Sequence, residues 1–513
     1  MECVLGIDLG SASTKAVVFG RGGRRLAAAV WPMEVGRLDP EHPDWLFWDP
    51  EVVWRNAAAA VSGALAALPA GARVSGLAVT GLGMDGLPVD AAGRELYPFI
   101  SWRCTRTVET AARVSARLGP ERIFRIAGKQ VQPHDTLYRL VWMREHRPEL
   151  LERAAHWLLI EDWLSFRLCG ARVTDPTMAS STSLLDQGTG EWSAELCRDA
   201  GVDPRLLAPV RPCGSLLGEV HEEAARATGL AAGTPVFLGG HDYLCAALGE
   251  GVIAPGDVLD VMGTWELVLA PTPLAALDPG VFHAGLTVEA TTIPGTWSAT
   301  GFAIAGGVAE WYRHELTGLS GGWEEMEQLA ASAPPGARGA TFLPHLEGAG
   351  SPHNDRRSLG ALIGLSSACD RACIARALLE GLAHQSVELA EAVAGAAGVG
   401  AGHVVLTGGM ARSELFARLR ADLGERPVWV SATEDSTALG AALLAELGLG
   451  WHHDARSAAA SVERRGHTVE PGPGMEECRK LRRTYRSIYP ALKALSGEIR
   501  SRNDGDGLAA PRR

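Results

Sequence analysis

Short apolar runs that stop at small polar turns alternate along this chain with longer segments of helical spacing. Residues 3–7 are apolar, break at Asp8-Leu9-Gly10-Ser11-Ala12-Ser13-Thr14-Lys15, and resume over 16–19. Two such runs around a small turn predict a hairpin, and 24–31 adds a third strand. Asp49-Pro50 supplies a helix cap and first helical residue for a helix to about 68. The strand 74–80 ends at Gly81-Leu82-Gly83-Met84-Asp85-Gly86. Residues 137–151 and 154–168 read as helices, broken near Pro148 and stopped at Gly170, and 174–183 reads as a polar loop. The run 234–238 predicts a buried strand, Gly239-Gly240 a tight turn, and 243–248 the start of a helix.

The second half repeats the theme. Residues 256–269 are again strand, polar turn, strand. Residues 301–316 and 322–332 have helical spacing, 344–354 is a polar loop, and Asp370 caps a helix running to about 393. The strand 403–407 ends in Gly408-Gly409-Met410-Ala411-Arg412-Ser413, followed by helix 414–423, strand 427–430 and helix 436–447. A last helix over 478–495 precedes a tail, 501–513, expected to be disordered. The turn at residues 7–11 and the turn at 259–264 echo each other, which hints at duplicated α/β architecture with a cleft between the copies.

Bulk properties narrow the function. At 513 residues the chain is too long for one core. It is 46% hydrophobic and 21% charged, ordinary for a globular protein. A net charge of −12 argues against a nucleic-acid binder, though not against a nucleotide substrate. No apolar run is long enough to span a bilayer, and Met1-Glu2-Cys3-Val4 carries no basic leader, so no membrane partner and a cytoplasmic location are expected. The nine cysteines are scattered; Cys369 and Cys373, four apart on a helix, read as packing residues.

Candidate chemistry sits at the turns. Asp242 lies at a strand-to-helix corner, where ligands bind in open α/β sheets and a carboxylate can take a proton from an attacking hydroxyl; Asp is equally at home there as a helix cap. Asp8 stands where a carboxylate can hold a hydrated Mg²⁺. The amides and hydroxyls of Ser11, Ser13 and Thr14 suit an anion, although a plain hairpin would look the same, and the turn is no P-loop. Thr264 is a second candidate phosphate clamp, and the Gly408-Gly409 turn a place where backbone can lie against a nucleotide. Trp102 and Arg106 combine an apolar face with a fork of donors suited to a polyhydroxylated ligand; a surface ion pair is the alternative for Arg106.

The order of these loops, Asp8–Thr14, Gly263–Thr264 and Gly408–Arg412 with the acidic corner before the second, resembles the FGGY carbohydrate kinases, over about residues 4–450. Within that family, Leu96-Tyr97-Pro98-Phe99-Ile100-Ser101-Trp102-Arg103-Cys104-Thr105-Arg106-Thr107, Gly240-His241-Asp242 and Gly263-Thr264-Trp265-Glu266 are similar to the fuculokinase pattern, and the His-Asp pair also to rhamnulokinase. The segment 342–352 follows the general FGGY pattern instead, and Met410 stands where a third glycine is expected, narrowing the adenosine site or packing.

The resemblance implies two ribonuclease-H-like α/β domains of the actin and sugar-kinase superfamily, with an active-site cleft between them. Residues 1–248 would be the sugar and phosphate side, 249–455 the ATP side, and 456–500 a helical extension. It implies Asp242 as base, Asp8 as the Mg²⁺ residue, and Ser11, Ser13, Thr14, Gly263 and Thr264 at the phosphates. Gly408, Gly409, Ala411 and Arg412 would line the adenosine, and Asp85, Trp102, Arg106 and His241 would face the sugar. The expected reaction is ATP-dependent phosphorylation of a ketose such as L-fuculose at its 1-hydroxyl. Rhamnulose, xylulose, ribulose, erythrulose or a polyol remain open as acceptors. A non-catalytic sensor on the same fold would lack the base or add a basic DNA-binding segment. A homodimer is the default assembly.

Overall fold

The computed structural model describes residues 1–37, 40–317, 322–473 and 475–505. The first unit opens with the expected meander, β1 (Glu2–Leu9), β2 (Ser13–Gly20) and β3 (Arg24–Pro32), followed by α1 (Pro50–Ala66). Asp49 caps α1, accepting from the amides of Glu51 and Val52 at 2.9 and 3.3 Å. Strand β4 (Arg73–Gly81) runs parallel to β1. A long insertion carrying α2 (Ile160–Cys169) leads to β5 (Leu216–Glu219), β6 (Pro235–His241) and α3 (Asp242–Glu250). The six-stranded sheet has the order β5-β6-β4-β1-β2-β3.

The second unit repeats the plan with β7 (Asp257–Met262), β8 (Trp265–Thr272), β9 (Thr287–Ala290), β10 (Trp297–Ile304), α4 (Arg371–Ala396), β11 (His403–Gly408) and α5 (Glu414–Gly424). It continues through β12 (Val428–Ser431), α6 (Ser436–Gly448), β13 (Gly466–Val469) and α7 (Met475–Gly505). Its seven strands are ordered β9-β10-β8-β7-β11-β12-β13. In both units a hairpin leads the sheet and its first strand pairs in parallel with a later one: β1 with β4, β7 with β11. The echo between residues 7–11 and 259–264 is therefore a repeat of architecture.

Helix α6 follows a strand of the second unit but packs on the first. Its Ala438, Leu439, Ala441, Ala442, Leu443 and Leu444 share a core with Val4, Val17, Ala78, Phe237 and Leu248. Glycines let the backbones touch. A methyl group at Gly440 would fall 1.9 Å from the Cys245 carbonyl oxygen, one at Gly249 2.3 Å from that of Ser436, and one at Gly6 2.1 Å from that of Ala438.

Four expectations need correction. Residues 154–168 are not one helix: His156–Leu159 is a strand paired with Gly86–Val89, and α2 begins at Ile160. Trp157, Leu158 and Leu159 are buried without a polar face, so periodicity could not separate strand from helix there. Residues 301–304 belong to β10, not to a helix; Gly301 is needed because a methyl group there would meet Leu389 Cδ1 at 2.4 Å. Within 174–183, Pro176–Ser180 is a short helix capped by Asp175. The last helix is also longer than read and takes in residues 501–505; the rest of the expected tail, 506–513, lies outside the described residues. Among the described residues no helix is long and apolar enough to cross a membrane.

Helix α7 is clamped to the second unit by rings and charges. His384 stacks on Tyr485 at 4.5 Å, His353 on Tyr489 at 4.1 Å, and Arg486 pairs with Glu391 at 2.5 Å. Burial, with Arg482 and Arg486 adding to it, drives the His384 pKa down to about 3. The folded protein thus holds a neutral ring, while the unfolded chain takes up a proton below its ordinary pKa near 6.5. Stability is complete above that value and is lost as pH falls toward 3. His384→Gln should therefore remove about 2 kcal/mol of the stability lost between pH 7.5 and pH 5, read by denaturant melts of both proteins at the two pH values.

Candidate active site

The carboxyl ends of β1, β4 and β6 are level. Asp8 and Gly240 both sit opposite Thr80, and Leu9 and His241 both sit opposite Gly81. Thr80 Oγ1 donates to the Gly240 carbonyl at 2.7 Å. Between Phe237 and Gly240 the pairing of β6 with β4 shifts, and a methyl group at Gly239 would come within 1.6 Å of the Val79 carbonyl oxygen. The Gly-Gly pair thus permits an irregularity that sets the direction in which β6 delivers its last residues.

Asp242 is the first residue of α3, and His241 takes the cap position, so Asp242 is not the helix cap. The carboxylate Oδ1 accepts from the Tyr243 amide at 2.6 Å and lies 2.8 Å from His241 Nδ1. Oδ2 is left without a protein partner among the described residues, in a side chain that is 29% exposed. Since Oδ1 can only accept, the Nδ1 atom carries a proton, and in the neutral imidazole Nε2 is then an acceptor. Nε2 is buried and has no protein partner. The imidazole is held by its own backbone amide, which donates to Thr177 Oγ1 at 2.7 Å, and by space at Gly83, where a methyl group would fall 2.0 Å from Nε2.

Asp8 faces the same space. Burial and then the charge of Asp242 push its carboxyl up to about 7, with Asp435 adding to this and Lys15 opposing it. Two carboxylates that repel each other at a cleft floor fit Mg²⁺, which takes one or two carboxylates and keeps its remaining positions for water and phosphate oxygens.

The three glycine turns fall at strand ends. In the first, Ser11 is exposed and Ser13 half-buried, but Thr14 is buried and its hydroxyl points to Met33 Sδ at 3.8 Å. The Thr14 side chain is thus turned away from the position expected of a phosphate ligand. In the second, Gly263 and Thr264 are exposed, buttressed by Gly306, whose amide donates to the Gly263 carbonyl at 3.0 Å. In the third, Gly408 sits opposite Met262 with φ +92°, so the second and third turns adjoin. Gly409 and Arg412 are exposed. Met410 and Ala411 bury their side chains in the second unit's cores, so Met410 packs rather than narrowing a site, and Ala411 has only backbone to offer.

Two of the expected sugar residues, Asp85 and Arg106, are buried against protein partners rather than standing free. Asp85 is buried and accepts from Trp48 Nε1 at 2.6 Å and Arg139 Nη2 at 3.0 Å. Burial raises its pKa against the pull of Arg139. Arg106 is buried too, not in a surface ion pair: Nη1 donates to Tyr97 Oη at 2.8 Å, and the guanidinium sits over Trp45 and Trp142 at 5.1 and 5.3 Å. Its Nη2 and Trp102 Nε1 have no partner among the described residues. The sequence reading missed Asp135. It is buried, with Oδ2 accepting from Ser183 Oγ at 2.6 Å, Oδ1 unpartnered, and its pKa pushed up to about 7 by burial against the pull of Lys129. Lys129 and Glu289 were also missed, because their pairing spans 160 residues and leaves no local signal.

Comparison with known proteins decides the family. Residues 3–249 match the N-terminal domain, and residues 259–449 the C-terminal domain, of the FGGY family of carbohydrate kinases. The chain belongs to that family. It is similar to the L-fuculokinase of Escherichia coli (strain K12), 30% identical over 90% of this chain and 95% of the other. It is also similar to the xylulose kinase of Bacillus subtilis (strain 168), 27% identical over 98% and 99%. Among solved structures, the xylulose kinase of Rhodospirillum rubrum superposes with a TM-score of 0.87 at 28% identity, covering 96% of this chain and 99% of that one. This FGGY kinase is accordingly an ATP-dependent sugar kinase of two α/β domains.

The contact between Gly83 and His241 gives a specific expectation. Gly83→Ala should displace the imidazole and lower kcat/KM for the sugar about tenfold or more, while KM for ATP stays within about twofold. Coupled ADP-release assays at varied sugar and varied ATP check both halves of that statement.

Proposed function

We propose that this FGGY kinase transfers the γ-phosphoryl group of ATP to the 1-hydroxyl of a 6-deoxyketohexose such as L-fuculose. The observation that carries the reading is Asp242: Oδ1 is fixed by His241 and the Tyr243 amide, and Oδ2 is open beside Asp8. A fixed carboxylate with one free oxygen can orient a hydroxyl and accept its proton as the new oxygen–phosphorus bond forms. His241 Nε2, an acceptor, would take a hydrogen bond from a neighbouring hydroxyl of the sugar. Asp85, Arg139, Trp102 and Arg106 shape the sugar wall, and residues 1–248 carry it. Support for the sugar comes from the His241-Asp242 pair and Cys104, shared with the fuculokinase pattern, and from the E. coli relative.

Ser11, Ser13, Gly263 and Thr264 would contact the phosphates, and Gly408, Gly409, the Ala411 backbone and Arg412 the adenosine, from residues 249–455. Asp8 would hold Mg²⁺, which neutralises charge on the phosphates when bound. The turns at Ser11 and Thr264 belong to opposite units, so closing the units on a sugar would complete the phosphate site and exclude water. A second reading, a pentulose acceptor, is favoured by the B. subtilis relative, while segment 342–352 follows the general FGGY pattern rather than that of fuculokinase.

ADP release from MgATP, measured with about a dozen ketoses and polyols, separates these readings. A selective signal with L-fuculose is expected. A signal with xylulose or ribulose alone would move the reading to a pentulose, and silence with ATP still bound would favour a sensor. Asp242→Asn should lower kcat roughly 10²–10⁴-fold with the fold intact by circular dichroism; near-normal turnover would remove Asp242 as the base.

A further inference from the structure

The two units meet a second time, away from α6. The first-unit segment around residues 124–130 lies against β9 of the second. Phe124 is buried in the second unit's core, its ring 5.5 Å from Phe282. The Val288 amide donates to the Gly128 carbonyl at 2.7 Å, and Gln130 Nε2 donates to the carbonyls of Phe282 and Leu286 at 3.0 and 2.9 Å. A methyl group at Gly128 would fall 2.0 Å from the Val288 carbonyl oxygen, so here too backbone lies on backbone.

At the centre of this joint is Glu289, fully buried on β9. Its Oε1 accepts from Lys129 Nζ at 2.8 Å, and its Oε2 accepts from the hydroxyl of Tyr243. Both partners belong to the first unit. Tyr243 is the residue whose amide holds Asp242 Oδ1, and its ring lies 4.2 Å from that of His241. One carboxylate of the second unit is therefore two contacts from the fixed oxygen of the carboxylate that accepts the proton. Lys129 is itself buried: burial works against its charge, but Glu289 and Asp135 outweigh this and raise its pKa. Against burial, the same ammonium and the Tyr243 hydroxyl keep the Glu289 pKa low.

We propose that Glu289 is a positioning residue for the proton acceptor: bound to Lys129 and Tyr243, it sets the orientation of the His241–Asp242 corner from the opposite unit. The inference rests on Asp242 as that acceptor. Its purpose follows from the geometry. A corner held only from its own unit would be equally competent whether or not the second unit, with the nucleotide turns, were in register. A corner braced by Glu289 is competent only when the units are docked at this joint. Opening the joint would break the Lys129–Glu289 pair and the Val288–Gly128 hydrogen bond together, so motions that keep β9 on residues 128–130 cost least.

The test is steady-state kinetics on Glu289→Gln, Lys129→Met, Tyr243→Phe and the double variant Lys129→Met/Glu289→Gln, with the sugar the unaltered kinase accepts. Glu289→Gln should lower kcat about 10–100-fold and leave KM for sugar and ATP within about threefold. Tyr243→Phe, which keeps the ion pair, should lower kcat as well. The double variant should be no slower than the slower single variant, since the pair acts as a unit. An effect confined to sugar KM would make Glu289 a sugar contact and overturn the proposal, as would unchanged kcat or strictly additive losses. If Glu289→Gln does not fold, Tyr243→Phe and the charge-free double variant decide. If no sugar is turned over at all, the substrate reading fails separately, and hydrogen exchange with MgADP bound still decides this one. Residues 241–243 should exchange faster in the variants while residues 3–9 do not change, and equal exchange at 241–243 would overturn it.

Discussion

The molecule depends on contact between bare backbones at the crossing of α3, α6 and β1. Gly6, Gly249 and Gly440 each occupy a place where a single methyl group would overlap a carbonyl of the neighbouring element. Helix α6 starts from the second unit's sheet and ends buried on the first unit's, so this crossing is where the two cores become one object. Closeness has two effects. It removes the slack that side chains would introduce, and it buries a face of small residues, Ala438, Ala441, Ala442 and Ala445. A close-packed joint suits a two-unit kinase, because the turns proposed to hold the nucleotide and the proposed proton acceptor Asp242 stand on both of the units it joins.

Much of this was legible in the chain. The hairpin at Asp8, the corner at Asp242 and the glycine turns stand at strand ends because the alternation of apolar run and small polar turn is a local signal. Most of the strands and helices that position the site follow from it. The roles assigned to Asp85 and Arg106 were less secure, since their chemistry is decided by partners far away in sequence: Trp48 and Arg139 for one, Trp45, Tyr97 and Trp142 for the other. Thr14 shows the same limit at short range. A hydroxyl in a polar turn reads as a ligand, yet strand pleating turned it toward Met33.

The buried acids behind the corner were invisible for a related reason. Glu161, Asp162 and Asp175 lie on or beside α2 and the short helix at Pro176, in a stretch that patterning treated as ordinary helix and loop. Burial, followed by their mutual repulsion, raises the carboxyls of Glu161 and Asp162 well above the usual range. Burial thus favours the neutral form of these acids over the charged one.

The third turn has a consequence for how such a protein changes over time. Met410 and Ala411 send their side chains into the core, and Gly409 has no atom within 4 Å of where a side chain would begin. What this end of the cleft presents outward is mostly main chain, which substitution does not alter. The proposed acceptor end relies on side chains instead, Trp102, Arg106, Asp135 and His241, each replaceable by a single codon change. Drift in such a scaffold is channelled: the partner read by main chain is retained while the partner read by side chains diversifies. One family can then hold the phosphoryl donor constant and sample many acceptors.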